Sequence, residues 1–150
     1  ALTFAADCPF CDPSIVDKQT VYEDTHWCML VDYAPRDPGH LLAIPKRHVV
    51  KAHELSAEEW SKLSEVITKA VKVFQTVFQT SQYMILEKNG PNAGQSVAHV
   101  HFHLFPFPEG EISKETRRLH FEKVFGRRPA KLSEEELGRE IEIFRTCFVN

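Results

Sequence analysis

Three histidines alternate with single apolar residues in the second half of the chain, and no other feature constrains the fold as much. They are His99, His101 and His103. Because successive side chains of a β-strand point to opposite faces of a sheet, a repeat of two predicts a strand over residues 98–105. The imidazoles would line one face of that strand, and the apolar residues between them would be buried on the other. The chain must therefore build a sheet with one buried face and one chemically active face.

An antiparallel sheet of about five strands is predicted around this segment. Residues 20–23, 27–33, 40–44 and 83–87 are rich in β-branched and aromatic residues and read as the other strands. Ser56 and Ser133 are each followed three residues later by a glutamate, which is the capping box that begins a helix. A further helix is predicted over residues 114–125. Because helices do not separate each pair of strands, the pattern favours an α+β fold with helices on one side.

The helix that follows Ser56 is predicted to bury one apolar stripe. Its apolar residues recur at spacings of three and four, which is typical of a helix packed on a core. The predicted stripe comprises Trp60, Leu63, Ile67, Ala70, Val71, Phe74, Val77 and Phe78.

Length and charge limit the class of protein. The 150 residues, 43% of them hydrophobic, are enough for one domain over residues 1–150 with its own core. A formal net charge of -3 provides no general attraction to nucleic acid or anionic membranes. No apolar run approaches the roughly 20 residues that cross a bilayer. We therefore expect a cytoplasmic protein that binds neither nucleic acid nor membrane.

One metal ion can hardly be bound by all three alternating imidazoles. Residues two apart on a strand lie about 6.7 Å apart and residues four apart about 13 Å, whereas zinc lies about 2 Å from each nitrogen. The preceding residues supply hydrogen-bond donors instead, since Gly94 lets the backbone approach a phosphate and Gln95 and Ser96 can stabilise its charge. A neutral histidine attacks phosphorus when its second nitrogen is held by an acceptor. The pattern therefore indicates phosphoryl chemistry.

Cys8 and Cys11 form a Cys-x-x-Cys pair, whereas Cys28 and Cys147 stand alone. In a cytosolic chain such a pair more often binds metal or performs redox chemistry than forms a structural disulfide. A thioredoxin-like role would place the pair between a strand and a helix, and the N-terminal segment is predicted to be irregular. Metal binding is therefore favoured, with free thiols as the alternative.

Residues 99–105, His-Val-His-Phe-His-Leu-Phe, resemble the His-φ-His-φ-His-φ-φ motif of the histidine triad (HIT) superfamily. Residues 94–97 are similar to the lead-in of that family, and Asp32 with residues 38–48 is similar to its second block. The resemblance covers most of residues 8–106. It implies a HIT-like α+β fold and a nucleotide hydrolase or transferase that forms a covalent histidine intermediate.

The resemblance also implies a role for each motif residue. His101 would be the nucleophile, with His103 and Ser96 on the scissile phosphate and Gln95 near the bridging or leaving oxygen. Asp32 would hold the ribose hydroxyls, and Phe10 and Leu30 would pack the base, with ordinary core packing as their alternative. His40 would orient the triad from behind. The residues implied to bind nucleotide are thus Asp32, Phe10, Leu30, Asn89 and His40, whereas His26, His53 and His120 match nothing and are expected to be exposed.

Zinc-bearing members of the superfamily use four ligands that correspond to Cys8, Cys11, His48 and His99. Two thiolates and two imidazoles would form a closed, structural Zn²⁺ site with no position for water. Such an ion would tie the N-terminal loop to the reactive strand without touching the substrate. The resemblance further implies a homodimer.

The third triad residue indicates the reaction, because hydrolases carry histidine there and transferases carry glutamine. Residues 89–97 resemble the fragile histidine triad branch, which cleaves dinucleoside polyphosphates, whereas the cysteine pair resembles bacterial zinc-bearing members. Two residues depart from the pattern. Lys88 stands where phosphoramidase relatives often have asparagine, and Phe107 replaces an arginine common in the fragile histidine branch. At Lys88 we expect a solvated loop lysine rather than contact with a distal phosphate.

We therefore predict hydrolysis of dinucleoside polyphosphates of the diadenosine tri- or tetraphosphate type, with AMP as a product. Adenosine 5'-phosphoramidase activity is one alternative, and regulatory nucleotide binding with incidental hydrolysis is another. A basic cluster within residues 117–131 suggests repair of adenylated nucleic-acid ends, but its interspersed acidic residues favour a solvated face.

Overall fold

A computed structural model describes residues 7–148 of the chain. In chain order, the elements are α1 (Pro13–Gln19), β1 (Thr20–Glu23), β2 (Trp27–Val31), β3 (Leu41–Pro45), α2 (Ala57–Phe78), β4 (Gln82–Glu87), β5 (Phe102–Phe107), α3 (Lys114–Phe125) and α4 (Glu134–Phe148), with short 3₁₀ turns at Ala52–Glu54 and Pro91–Ala93. Among these residues, every helix is too short or too polar to cross a membrane.

The five strands form one sheet in the order β1-β2-β3-β5-β4, with every neighbouring pair antiparallel. The predicted five-stranded antiparallel sheet and α+β class are therefore confirmed. Asp24 closes the predicted β1–β2 hairpin, because its Oδ1 accepts hydrogen bonds of 2.8 Å from the backbone N–H groups of His26 and Trp27. Both capping boxes are also present, at Ser56 and at Ser133. β4 is an edge strand that pairs only with β5 among these strands.

The two faces of the sheet differ in what covers them. Helices α2 and α4 cover one face and share a core with the sheet, which includes Met29, Leu104, Phe74 and Phe144. On the other face, cross-strand pairing places Leu30 beside Leu42 and Leu42 beside His103. Helix α1 and Phe10 pack on that second face through a smaller apolar cluster. The histidines thus lie on the side of the sheet away from the main core.

Helix α1 was not predicted from the sequence, which was read there as irregular. Asp12 caps it by accepting a 2.9 Å hydrogen bond from the N–H of Ser14, and Pro13 occupies the first helical position. Proline is favoured there because the first helical N–H has no partner within the helix. Helices consequently lie on both faces of the sheet, and the prediction of helices on one side is wrong for α1.

Only His103 of the three alternating histidines lies within a regular strand, because β5 begins at Phe102 rather than at residue 98. The preceding residues leave the ladder: the N–H of Val100 donates to the carbonyl of Val49 at 2.7 Å. The neighbouring strand β3 ends at Pro45, which has no N–H to extend the pairing. The alternation survives, since Val100 and Phe102 enter the helix-covered core.

The predicted stripe of α2 is largely confirmed, but the buried face is rotated slightly from it. The predicted residues that lie in or against the core are Leu63, Ala70, Phe74, Ile67, Val77 and Phe78. Trp60 is 44% exposed, whereas Val66 and Val73, which the prediction omitted, are buried at 0% and 3% exposure. Val71 is only half-buried. Apolar residues occur at helical spacing on two adjoining faces of α2, so the periodicity alone does not fix which face meets the sheet.

A matched pair of substitutions tests this orientation. Val66→Ala is expected to lower the free energy of unfolding by about 2 kcal/mol, because it leaves a cavity in the core. Val71→Ala makes the same chemical change at a half-buried position and is expected to cost less than half as much. Urea unfolding of both variants measures the difference. Equal losses would contradict the packing of α2 described here.

Candidate active site

The ring of His101 is fixed by the backbone two residues before it. Its Nδ1 lies 2.8 Å from the carbonyl oxygen of His99. Since a carbonyl only accepts hydrogen bonds, Nδ1 carries the proton, and Nε2 of the neutral ring presents a free lone pair. This is the acceptor-held arrangement that a nucleophilic histidine requires.

A second chain of hydrogen bonds orients His103. The N–H of Arg36 donates to Nδ1 of His40 at 3.2 Å, so Nε2 of His40 carries that ring's proton. Nε2 lies 2.8 Å from Nδ1 of His103 and donates to it. The proton of His103 is thereby left on Nε2, where it can donate to an anion. His40 is only 1% exposed and holds His103 from behind through this hydrogen bond, and its predicted role in orienting the triad stays a prediction.

Burial keeps these imidazoles neutral. It lowers the pKa of His103 to about 3 and that of His40 well below the ordinary value near 6.5. The pKa of His101 is lowered by burial too, and the charges of Lys88 and Arg128 lower it further while Asp32 opposes them. A neutral ring is needed at His101 for nucleophilic attack, because a protonated imidazole would have no lone pair on Nε2.

The residues predicted to hold the nucleoside lie close to the triad. Phe10 packs its ring edge-on against His101, with centroids 5.2 Å apart. Phe10 also packs against the cluster that contains Leu30, which is fully buried. Asp32 is 4% exposed, and its Oδ2 lies 3.7 Å from Nδ1 of His40. The structure thus brings these three residues and the triad to one side of the sheet.

The loop between β4 and β5 places its predicted site residues differently. The Gln95 amide accepts from the N–H of Gly90 and donates to the carbonyl of Val50, each at 2.7 Å. The Asn89 amide bonds to Glu87 and to the N–H of Ala52. Both side chains therefore hold the loop in shape. Their predicted contacts with a nucleotide stay predictions, and Gln95 retains one amide N–H with which to make its contact.

Ser96 is exposed and lines a cavity of about 310 Å³ together with Cys8 and His48. Within residues 7–148, the structure shows no hydrogen bond between its hydroxyl and the triad. The predicted contact of Ser96 with the scissile phosphate therefore stays a prediction.

Four side chains converge beside the triad in a geometry that suits a metal ion. The ligand atoms of Cys8, Cys11, His48 and His99 all lie within 4.8 Å of one another. The two Nδ1 atoms are 3.3 Å apart, and the sulfur-to-nitrogen distances include 3.2 and 3.4 Å. Tetrahedral Zn²⁺ would separate its nitrogen ligands by about 3.3 Å and sulfur from nitrogen by about 3.5 Å. The cluster thus has the dimensions of a zinc site.

The ring of His99 is held in the tautomer that a metal needs. Its Nε2 lies 2.8 Å from the carbonyl oxygen of Pro45 and so carries the proton. Nδ1 therefore points a lone pair into the cluster. Burial raises the pKa of the Cys11 thiol to about 11, so metal binding there must release a proton.

Sequence reasoning missed the contribution of the segment between α3 and α4. Nη2 of Arg128 lies 3.2 Å from Oδ1 of Asp32, and its guanidinium stacks over the ring of Tyr33 at 4.3 Å. The N–H of Leu132 donates to the carbonyl of Tyr33 at 2.8 Å and anchors the segment there. Arg128 is 43% exposed, as expected of a solvated basic face, but the sequence did not predict its ion pair with Asp32.

Two histidines that were expected to be exposed are not. Nδ1 of His120 lies 2.7 Å from Oδ2 of the buried Asp37, and its side chain is 20% exposed. The His26 side chain is 22% exposed and lies 3.6 Å from a carboxylate oxygen of Glu58. Each lies close to a carboxylate that is far from it in the sequence. His53 is exposed, as expected.

Comparison with known families decides the relationship. The family model described as HIT domain matches residues 14–109, which is more than half of the chain. The chain belongs to the HIT domain family. The resemblance stated from the sequence is therefore confirmed.

Relatives in the HIT family include proteins with named activities. An uncharacterized HIT-like protein of Methanocaldococcus jannaschii is 36% identical over 64% of this chain and 74% of its own length. The adenosine 5'-monophosphoramidase hnt1 of Schizosaccharomyces pombe is 41% identical over 54% of this chain and 58% of its own length. The asymmetrical bis(5'-nucleosyl)-tetraphosphatase of the same yeast is 33% identical over 66% and 54%. The predicted hydrolase class is confirmed, because the two named relatives are hydrolases of nucleotides.

Solved HIT structures share the fold. A hypothetical histidine triad nucleotide-binding protein of Sulfolobus tokodaii superposes with a TM-score of 0.74 at 25% identity and covers 95% of this chain and 93% of its own. A Zn-bound histidine triad family protein of Mycobacterium smegmatis gives a TM-score of 0.67 at 24% identity over 97% and 95%. The HIT-like fold predicted from the sequence is confirmed.

The low pKa of His103 makes stability depend on pH. In the unfolded chain this ring takes up a proton near its ordinary pKa of 6.5, but in the folded chain only near about 3. Between these values the unfolded state binds more protons, so stability falls as the pH decreases, by up to about 1.4 kcal/mol per pH unit. Urea unfolding at several pH values between about 5 and 7.5 measures this slope.

His103→Gln is expected to have a shallower slope, since glutamine can still accept from His40 but does not titrate. His53→Gln removes an exposed histidine and serves as the control, with the slope of the parent protein. Identical slopes for the parent and His103→Gln would contradict the neutral, buried state of His103.

Proposed function

We propose that this chain is a nucleotide hydrolase that forms a covalent bond between His101 and the phosphorus of a nucleoside phosphate. The observation that carries the proposal is the hydrogen bond from His101 to the carbonyl of His99, which leaves Nε2 as a free nucleophile. Membership of the HIT family and the hydrolase names of its relatives support it.

In the first step, the Nε2 lone pair of His101 attacks phosphorus, and the bond to the leaving group breaks with its electron pair. The new N–P bond places positive charge on the ring, which the carbonyl of His99 stabilises through Nδ1–H. His103 donates its Nε2 proton in a hydrogen bond to a phosphoryl oxygen as negative charge develops there.

In the second step, water attacks the same phosphorus on the side opposite to His101. The N–P bond breaks, its electron pair returns to Nε2, the attacking water gives up a proton to the solvent, and a nucleoside monophosphate is released. The neutral rings are then restored, and the hydrogen bond from His40 keeps His103 in the same tautomer for the next cycle. No residue needs to change its backbone partner during the reaction.

The substrate we favour is a dinucleoside polyphosphate of the diadenosine tri- or tetraphosphate type. Asp32 and the half-buried ring of Phe10 would hold the ribose and base, whereas Leu30 is fully buried and would only support Phe10 from behind, as its core-packing alternative predicts. Adenosine 5'-phosphoramidate is the second candidate, favoured by the 41% identity to a yeast phosphoramidase. A regulatory protein that binds nucleotide tightly and hydrolyses it incidentally is the third, and it would show AMP binding with turnover near background.

His101→Ala is expected to abolish release of AMP from diadenosine tetraphosphate, with kcat reduced by about a thousandfold or more, because the covalent route is lost. Chromatography of the products measures the loss. Mass spectrometry of the parent protein mixed with substrate and quenched early is expected to show a nucleotidyl adduct on His101.

His53→Ala, at an exposed histidine, is the matched control and should retain full activity. Undiminished turnover by His101→Ala, with a folded protein, would refute the assignment of the nucleophile. Equal efficiency on the phosphoramidate and the polyphosphate would leave hydrolysis in place but contradict the favoured substrate.

We also propose that Cys8, Cys11, His48 and His99 bind Zn²⁺. Four protein ligands close the coordination sphere, so the ion would be structural and would not activate water. It would tie the N-terminal segment and the residues after β3 to His99, and thereby to the carbonyl that orients His101. The converging lone pairs and the distances among the four ligand atoms support this proposal.

The protein is expected to purify with about one zinc ion per chain, as a closed site would retain it. Removal by a chelator should lower the unfolding temperature by about 5 °C or more. Cys11→Ser should lose the ion, whereas the matched control Cys147→Ser should keep it. Elemental analysis and thermal unfolding test this, and an unchanged unfolding temperature after chelation would contradict a structural role.

The predicted homodimer and cytoplasmic location stay predictions. The edge strand β4 carries two large apolar side chains, Tyr83 and Ile85, that are each 40% exposed. Exposed apolar residues on an unpaired edge are typical of a strand that meets a second copy, and this supports pairing through β4.

A further inference from the structure

Lys88 directly follows the last residue of β4 and lies near the proposed nucleophile. β4 and β5 pair antiparallel as far as Glu87, which lies opposite Phe102. Lys88 follows Glu87 and His101 precedes Phe102, so the two residues lie at the same end of this last pair, and the charge of Lys88 is near enough to lower the pKa of His101. Because side chains alternate between faces, and Phe102 enters the helix-covered core, Lys88 and His101 both belong to the face that carries the site.

The side chain of Lys88 lies inward, against the loop that leads to the triad. Its Cδ is 3.1 Å and its Nζ 3.5 Å from the point that a Cβ atom at Gly94 would occupy. Gly94 has a φ of +91°, so the bare glycine both permits the turn and makes room for the lysine. Lys88 is half-buried, and the expectation of a solvated loop lysine is wrong.

Within residues 7–148, no carboxylate lies within ion-pair distance of Lys88. The adjacent acid, Glu87, points to the opposite face by alternation and bonds to Asn89. Burial lowers the pKa of Lys88, and its charge in turn lowers the pKa of His101 and His103. A partly desolvated cation without an anionic partner is costly unless a ligand supplies the anion.

The position of Lys88 also tells which part of a substrate it would meet. It lies on the same loop as Gln95 and Ser96, whereas the ribose side of the site is marked by Asp32, where Arg128 already provides a counter-charge. The charge of Lys88 would therefore lie near the phosphate groups of a bound substrate rather than near its ribose. A chain of several phosphates offers it more negative charge than a phosphoramidate, which carries a single phosphoryl group.

The geometry points to Lys88 as the residue that makes this site prefer substrates with a phosphate chain, by donating from Nζ to a non-bridging oxygen of that chain. The inference rests on the proposed hydrolase function and narrows its substrate class. An ammonium group is suited to this task, since three donors on a flexible stem can follow an oxygen whose position differs between chain lengths.

The test compares the parent protein with Lys88→Met, which keeps the length and the apolar part of the side chain but removes the charge. The kcat/KM for diadenosine tetraphosphate is expected to fall by about 10- to 100-fold, the range for losing a charged hydrogen bond. The kcat/KM for adenosine 5'-phosphoramidate should change by less than about threefold. Lys88→Arg should retain most of the preference for the polyphosphate.

Lys72→Met removes one lysine charge from the exposed surface of α2 and controls for net charge. It should leave both substrates unaffected. An equal fall on both substrates in Lys88→Met would show that Lys88 merely shapes the site or assists the reaction itself, and it would overturn the inference. So would unchanged efficiency on both.

A binding measurement separates this inference from the proposed reaction. By calorimetry, ADP is expected to bind the parent protein more tightly than AMP, and Lys88→Met should remove about 10-fold or more of that difference. This result needs no turnover, so it supports the inference even if the parent protein hydrolyses no dinucleoside polyphosphate. Equal ratios of ADP to AMP affinity in both proteins would overturn it.

Discussion

The hydrogen bond from the His101 ring to the carbonyl of His99 determines what the site can do. A neutral imidazole has one donor and one acceptor nitrogen, and whichever nitrogen is bonded to a carbonyl must be the donor. The other nitrogen is therefore unprotonated, and its lone pair points away from the backbone. The same logic, applied at Pro45 to His99 and at Arg36 through His40 to His103, gives three neighbouring rings three different tasks.

These tasks depend on a local break in the sheet. Had β5 continued back to residue 98, the carbonyl of His99 would have been available to a neighbouring strand. Because β3 ends at Pro45, the segment before Phe102 leaves the ladder and is held instead by the bond between Val100 and Val49. The carbonyl of His99 then accepts from the ring of His101. His103 is held by regular strand pairing, whereas His99 and His101 lie in the irregular segment before β5.

The sequence predicted the parts of this molecule that are set by local pattern. The five strands, both capping boxes and the face shared by His101 and His103 follow from spacing and from residue type. Two kinds of feature did not follow. The orientation of α2 depends on which of two apolar faces meets the sheet, and that is decided by packing. Arg128 and Lys88 come to the site through a folded-back segment and through strand register, both of which are properties of the assembled fold.

The side chain and the main chain of His99 make separate contacts. The imidazole faces the cysteines, whereas the carbonyl serves the next histidine along. Every amino acid possesses that carbonyl, so replacing His99 would remove one member of the Cys8, Cys11, His48 and His99 cluster but keep the group that orients His101. The cluster and the orientation of His101 can therefore be altered separately, because they depend on different atoms of one residue.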